Sequence, residues 1–160
     1  MCIRDRPNPA FTFYDEQFPI YTRPRYLPPS KMQDAQVTGS IIGEGSLLKA
    51  CNIHHCVLGV RTRVEDEVVL QDTLVMGADY FESSDERLVL RERGGIPMGV
   101  GRGTTVKGAI LDKNVRIGRD VTIVNKDNIE EADRPELSFY IRNGIVVVVK
   151  NGTIADGSVI

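Results

Sequence analysis

The sequence of 160 residues has neither a long apolar run nor a marked excess of one charge. Its longest apolar run, residues 145–149, has five residues, whereas a membrane-spanning helix needs about 20. Lysine and arginine total 20 against 22 aspartate and glutamate residues, which gives a net charge of −2. We therefore expect a soluble protein with neither a membrane nor a nucleic acid as partner.

Cysteine and histidine are scarce, and the signatures of catalytic sites are missing. Of three cysteines, Cys51 and Cys56 lie in repetitive apolar sequence, and we interpret them as small core residues in a reducing compartment. The sequence contains no nucleophile motif, Walker loop, zinc-binding spacing or dinucleotide-binding fingerprint. His54 and His55 are adjacent, so on a strand they point to opposite faces and do not chelate one metal together. We expect no catalytic residue and no metal site in this chain.

Proline and aromatic residues concentrate near the N-terminus. Residues 1–6 bear no visible relation to the rest of the chain, and we interpret them as a non-native start. Residues 7–30 hold six of the eight prolines and six aromatic residues. Because proline fixes φ and lacks a backbone donor, we predict that residues 7–36 form an extended arm. Its aromatic residues indicate that the arm lies against a surface, either this protein's own core or another domain.

Aliphatic residues recur at a regular step in residues 37–160. Leu58, Val64, Leu70 and Met76 stand six residues apart, and a second pattern, with a small residue before an aliphatic pair, has a step of five. Neither step suits an α-helix. A hexapeptide period is typical of a parallel β-helix, a solenoid in which three short strands form each coil; a β-sandwich, with period-two alternation, is the alternative. We predict an all-β solenoid whose continuous core includes Ile42, Leu58, Val64, Leu70, Leu111, Ile117 and Ile154.

Two insertions interrupt the repeat. Residues 79–95 are polar and highly charged, which predicts a solvated hairpin or loop outside the solenoid. Residues 125–143 form the second interruption, where Asp127 is placed to cap a short helix.

Two lysines occupy the same position within their repeats. Lys113 and Lys150 each follow an aliphatic repeat residue by two and are 37 residues apart. This is close to two coils of about 18 if the intervening insertion is set aside, so we predict that they share one corner of the solenoid. Asp112 is placed to orient Lys113, and Arg23 and Arg25 in the arm are within reach of this corner. Converging cations favour a phosphate or carboxylate ligand. The alternative is that these lysines are ordinary solvated side chains.

Four segments of the sequence resemble one enzyme family. Residues 13–31 resemble the linker of ADP-glucose pyrophosphorylase, also called glucose-1-phosphate adenylyltransferase, and residues 40–46 and 72–81 resemble later segments of the same family. Residues 139–160 are similar to the C-terminus of the cyanobacterial and plant forms. The resemblance extends over residues 7–160.

This resemblance implies a left-handed β-helix that forms the C-terminal third of a larger subunit. In the family, an N-terminal nucleotidyltransferase domain binds ATP, glucose 1-phosphate and Mg²⁺, and makes ADP-glucose and diphosphate for glycogen or starch. That domain has no counterpart here, so we expect this chain to be inactive alone and to hold no cofactor. Its implied partners are the catalytic domain and the other subunits of a homo- or heterotetramer, in the bacterial cytoplasm or the plastid stroma.

The family also assigns roles to these basic residues. Its effector lysines fall on Lys113 and Lys150, and Asp112 and Arg25 fall on positions that line the anion site. Arg23 aligns with a position that is often neutral and polar. The implied effectors are 3-phosphoglycerate as activator and inorganic phosphate as inhibitor.

Two other functions remain open. A hexapeptide-repeat acyltransferase would be a left-handed β-helix that uses coenzyme A and a catalytic histidine, although the arm and the lysine pair do not fit it. A purely structural or oligomerising solenoid is the other alternative.

Overall fold

The computed structural model describes residues 15–19 and 24–160. In this part of the chain, 18 short strands form three sheets, which the chain visits in turn. Strands of successive coils pair in parallel, with a single antiparallel hairpin added to the third sheet. This architecture is a parallel β-helix, so the all-β solenoid predicted from the hexapeptide period is confirmed.

The strands are numbered along the chain. In spatial order, the first sheet contains β1 (Lys31–Gln33), β4 (Leu47–Lys49), β7 (Arg63–Val64), β10 (Gly99–Val100), β13 (Arg116–Ile117) and β18 (Thr153–Ile154). The second contains β14 (Thr122–Ile123), β11 (Thr105–Lys107), β8 (Val69–Gln71), β5 (Asn52–His54) and β2 (Gln36–Thr38). The third contains β15 (Glu131–Arg134), β16 (Phe139–Arg142), β17 (Ile145–Val148), β12 (Ala109–Leu111), β9 (Leu74–Val75), β6 (Val57–Leu58) and β3 (Ile41–Ile42).

Inward-facing aliphatic side chains of neighbouring coils lie opposite one another. On the first sheet the paired residues are Leu48, Val64, Val100, Ile117 and Ile154. Each of them is at most 3% exposed, and removal of this apolar surface from water is the main force that stabilises the stack. Because each coil buries its core against the next, isolated hexapeptides contribute little alone.

The predicted core is confirmed at six of seven positions. The buried residues are Leu58, Val64, Leu70, Leu111, Ile117 and Ile154. Ile42 is only partly buried and packs against the same cluster. Its strand, β3, lies at the edge of the third sheet and is covered by a coil on one side only.

Met76 continues the six-residue step of Leu58, Val64 and Leu70 in the sequence but lies outside the core. Met76 is 43% exposed, whereas Val75 is 3% exposed and lies opposite Leu111 of β12. Residues 70–75 follow the five-residue pattern, with Thr73 buried inside the corner. Thr73 is the small residue that precedes the aliphatic pair, Leu74 and Val75, in this pattern.

The first insertion contains a helix instead of the predicted hairpin or loop. Within residues 79–95, α1 spans Ser84–Glu92. Ser83 caps it: its hydroxyl accepts a hydrogen bond from the Glu86 amide at 3.2 Å, and the Glu86 carboxylate accepts one from the Ser83 amide at 2.7 Å. This capping box satisfies two amides at the start of the helix and explains why a charged segment is helical here.

The second insertion is a hairpin, so the helix predicted after Asp127 is wrong. Strands β15 and β16 pair antiparallel and are joined by a 3-10 helix, Pro135–Leu137. The side-chain amide of Asn125 donates a hydrogen bond to the Gly144 carbonyl at 2.8 Å and joins the two ends of residues 125–143. Pairing of β16 with β17 extends the third sheet, which satisfies more backbone groups than an isolated turn of helix would.

The solenoid begins at β1, six residues before the predicted start at residue 37. Residues 24–30 precede it without helix or strand, and the Ser30 hydroxyl donates a hydrogen bond to the Gly43 carbonyl at 2.7 Å. None of the helices in the described residues has the length and apolar character needed to span a membrane.

Candidate anion-binding site

Lys113 and Lys150 converge on one carboxylate. Lys113 Nζ lies 3.0 Å from Asp79 Oδ1, and Lys150 Nζ lies 3.1 Å from Asp79 Oδ2. The two lysines follow β12 and β17, in which Leu111 lies opposite Val148. The structure thus places them at one corner, but on neighbouring coils and not two coils apart, because the hairpin of the second insertion accounts for half of their separation in sequence.

The backbone after β12 and β17 sets the positions of both lysines. The Asp112 amide donates a hydrogen bond to the Val148 carbonyl at 3.0 Å, and the Asn151 amide donates one to the Lys113 carbonyl at 2.9 Å. The Lys113 amide donates to Asp112 Oδ1 at 2.6 Å. Asp112 therefore holds the turn that carries Lys113. Its carboxylate binds the backbone amide of Lys113 and not the ammonium group of that lysine.

A buried asparagine anchors the shared carboxylate. Asn114 is 6% exposed, and its Nδ2 donates hydrogen bonds to Asp79 Oδ2 and to Asn151 Oδ1, each at 3.1 Å. Its Oδ1 accepts a hydrogen bond from the Asp79 amide at 2.8 Å. Asn114 thus binds both the backbone and the side chain of Asp79.

One carboxylate of the cluster faces two ammonium groups at the protein surface. Hydrogen bonds from Lys113, then from Lys150 and Asn114, hold the pKa of Asp79 well below its ordinary value, so this carboxylate is ionised under all ordinary conditions. Two ammonium groups share its single negative charge. The three side chains are 38–52% exposed, so a ligand has direct access to them.

A family model described as the GLGC left-handed parallel beta-helix domain matches residues 25–159. The chain belongs to this family. The domain is the C-terminal domain of ADP-glucose pyrophosphorylase, as the sequence resemblance predicted. The match also gives the hand of the solenoid as left-handed. It covers all 18 strands and the two lysines, and it names a family other than the hexapeptide-repeat acyltransferases.

Asp79, Asn114 and Asn151 are site residues that the sequence analysis missed. Asp79 was included in the first insertion, and the hydrogen bonds of the asparagines cross between coils. One signal was available for the asparagines: the dipeptide Lys-Asn occurs at residues 113–114 and again at 150–151.

Only one of the two arm arginines, Arg25, lies in the described part of the chain. Arg25 is exposed, and no ion pair joins it to a carboxylate within residues 15–19 and 24–160. Arg23 lies outside the described residues. Their predicted part in anion binding stays a prediction.

Both histidines and two of the cysteines contact or pack against other residues of the chain. His54 Nδ1 lies 2.8 Å from Thr38 Oγ1, and His55 Nδ1 lies 2.5 Å from Asp72 Oδ1. Cys51 and Cys56 are buried, as predicted, and burial raises the pKa of both thiols. In the described part of the chain, no three histidine, cysteine or acidic side chains are grouped so as to hold a metal ion.

Apart from the lysine corner, a polar cleft of about 450 Å³ lies between α1 and the first sheet. Its most buried charge is Arg87, 6% exposed, which donates hydrogen bonds to Glu65 at 2.8 Å and to the Met98 carbonyl at 2.7 Å. Glu65 also accepts a hydrogen bond from Arg63 at 3.1 Å. Arg87 thus fastens α1 to the solenoid from within a buried network. The side chains of the lysine corner are exposed, so that corner is the stronger candidate for ligand binding.

Proposed function

We propose that this chain is the regulatory and oligomerisation domain of a glucose-1-phosphate adenylyltransferase subunit, and that Lys113 and Lys150 bind its anionic effectors. The effectors are 3-phosphoglycerate as activator and inorganic phosphate as inhibitor. The observation that carries this proposal is the convergence of both ammonium groups, within 3.1 Å, on two oxygens of one carboxylate.

The same two ammonium groups suit a ligand phosphate or carboxylate. Charge-assisted hydrogen bonds from Nζ to an anionic oxygen are stronger than neutral ones, and pairs of cations without enough counter-charge favour an anion between them. Arg25 and Arg23 of the arm would add positive charge to this site, as the family resemblance implies. Effector binding between the arm and the solenoid would couple ligand occupancy to the catalytic domain.

The chemistry of the whole enzyme belongs to the catalytic domain. There, ATP and glucose 1-phosphate would give ADP-glucose and diphosphate with Mg²⁺, as a step in glycogen or starch synthesis. The present chain would contribute regulation and subunit contacts.

The outward face of the third sheet supports a role in assembly. An aliphatic row crosses five parallel strands in register, formed by Ile41, Val57, Leu74, Ile110 and Val147. Outward positions of the first sheet include charged residues instead, such as Arg63 and Arg116. A continuous apolar row on one face suits contact with another subunit of a homo- or heterotetramer.

Calorimetric titration of the full chain with 3-phosphoglycerate, phosphate and acetyl-coenzyme A tests the proposed function. The first two should bind, and Lys113→Ala or Lys150→Ala should weaken binding about 10- to 150-fold, which corresponds to a charge-assisted hydrogen bond of roughly 1.5–3 kcal/mol. Lys107→Ala is the matched control, since Lys107 is an exposed lysine on the second sheet. Selective binding of acetyl-coenzyme A would favour an acyltransferase, and equal affinities in all variants would leave Lys113 and Lys150 as ordinary solvated side chains.

A further inference from the structure

The lysine pair is already occupied by an anion of the chain itself. The two carboxylate oxygens of Asp79 each face a different ammonium group, at 3.0 and 3.1 Å. This is the arrangement that a ligand carboxylate or phosphate would adopt between the same lysines. A ligand and Asp79 cannot both hold that position, because their like charges repel each other.

We propose that Asp79 is a built-in competitor of anionic ligands, so that a ligand binds only when the Asp79 carboxylate leaves Lys113 and Lys150. The proposal rests on the proposed function of the lysines and adds a determinant of their affinity. It differs from a positioning role, in which Asp79 would hold the lysines ready for the ligand. The two roles predict opposite effects when the carboxylate is removed.

The contacts of Asp79 are suited to exchange. Its ion pairs join side chains that are 38–52% exposed, and exposed ion pairs are weak. The Asp79 backbone stays fixed by the bond from its amide to Asn114 Oδ1 at 2.8 Å. Rotation of one side chain is therefore enough to free both lysines.

Release of Asp79 frees one of the two N–H groups of a buried amide. Asn114 Nδ2 loses its bond to Asp79 Oδ2 but keeps the one to Asn151 Oδ1 at 3.1 Å. The buried asparagine thus keeps one of its two amide hydrogen bonds when the carboxylate leaves. The cost of exchange is two exposed ion pairs and one hydrogen bond from Asn114.

Competition of this kind selects among ligands by charge. A monocarboxylate offers the lysines no more negative charge than Asp79 does, so it gains little by exchange. A phosphate group carries up to two negative charges at neutral pH and attracts the two ammonium groups more strongly. We expect the site to favour phosphate groups over simple carboxylates.

Phosphate titration of the full chain at constant ionic strength tests this inference. Asp79→Asn should bind inorganic phosphate about tenfold more tightly, the order expected when one like charge and two exposed ion pairs are removed. Asp66→Asn is the matched control: Asp66 forms an exposed ion pair with Lys49 at 3.0 Å, away from the site, and its loss should leave phosphate affinity unchanged. Tighter binding by Asp79→Asn should vanish when Lys113 and Lys150 are also replaced by alanine.

The failures of the two proposals are distinguishable. Weaker or unchanged phosphate binding by Asp79→Asn, with binding still lost in Lys113→Ala and Lys150→Ala, overturns the competitor role and leaves the effector site intact. Phosphate binding that is indifferent to both lysines overturns the effector site and the competitor role together.

A measurement on the unmodified chain covers the case in which Asp79→Asn fails to fold. The carboxyl ¹³C resonance of Asp79 should shift as phosphate saturates the site, because its two lysine partners are withdrawn. An unchanged resonance at saturation would overturn the proposal.

Discussion

Leu111 and Val148 lie opposite each other on β12 and β17, although 37 residues separate them. Between them in the sequence, the chain passes through β13 and β14 of the other two sheets and then forms the β15–β16 hairpin at the edge of the third sheet. This pairing sets Lys113 beside Lys150, because each lysine lies two residues after its member of the pair. The site therefore depends on where the second insertion returns to the solenoid.

Ile117 tests the phase of the core. It is 1% exposed and lies between Val100 and Ile154 in the ladder of the first sheet. Ile117→Asp buries an unpaired charge and should lower the free energy of unfolding by about 3–5 kcal/mol, measured by urea denaturation. Thr153→Asp, at an exposed position of β18, should change it by no more than about 0.5 kcal/mol. Equal denaturation midpoints for both variants would contradict the inward assignment of Ile117.

Arg87 tests how the first insertion is held. Replacement by alanine leaves the partly buried Glu65 and Glu82 with fewer partners, and should lower the free energy of unfolding by about 3 kcal/mol. Arg91→Ala on the same helix is the control, since Arg91 is 42% exposed and 3.7 Å from Glu65, and should cost less than about 1 kcal/mol. Urea denaturation with limited proteolysis of α1 checks both, and similar effects of the two replacements would show that Arg87 is not the main fastening.

Asp79 should respond to acid in a defined direction. Its pKa is held below the ordinary aspartate value of 3.8 by Lys113 and Lys150, so its ion pairs stabilise the folded chain above pH 4. That contribution should disappear as the pH falls below about 4 through the lowered pKa. Titration of the Asp79 carboxyl ¹³C resonance should give a midpoint below 3.8, and replacing both lysines with alanine should raise it. A titration midpoint that stays the same when both lysines are replaced would contradict the ion pairs.

Lys113 should affect activation more than basal turnover in the complete enzyme. Lys113→Ala should raise the 3-phosphoglycerate concentration for half-maximal activation about 10- to 150-fold, and Lys113→Glu should raise it further because a carboxylate repels the ligand. Arg25→Ala should act in the same direction, and Lys107→Ala should have no effect. Reduced basal turnover with an intact activator response would assign Lys113 to folding or to the catalytic machinery.

Leu74 should affect assembly. It is 38% exposed in the aliphatic row of the third sheet. Leu74→Lys places a charge in the proposed subunit contact and should weaken assembly. The variant enzyme should therefore dissociate at protein concentrations at which the unmodified enzyme stays assembled. Val69→Lys is the control, since Val69 is 36% exposed on the second sheet. Sedimentation velocity measures both, and equal dissociation of the two variants would place the contact elsewhere.

The period of the solenoid was determined by the sequence alone. Hexapeptide spacing fixes which side chains point inward, so Leu58, Leu70 and Ile117 were assigned correctly without coordinates. The six-residue step does not extend to Met76, because residues 70–75 follow the five-residue pattern. Local patterns of this kind suffice because every coil repeats the same short-range geometry.

The site, in contrast, was decided by tertiary structure. The sequence indicated Lys113 and Lys150 as equivalent positions, but not that neighbouring coils carry them or that Asp79 lies between them. The sequence of a coil that follows an insertion does not show which earlier coil it pairs with. The first insertion begins at Asp79, and the direction of that side chain depends on Asn114, which is 35 residues away. Contacts between residues so far apart follow from how the coils stack, and no local spacing encodes them.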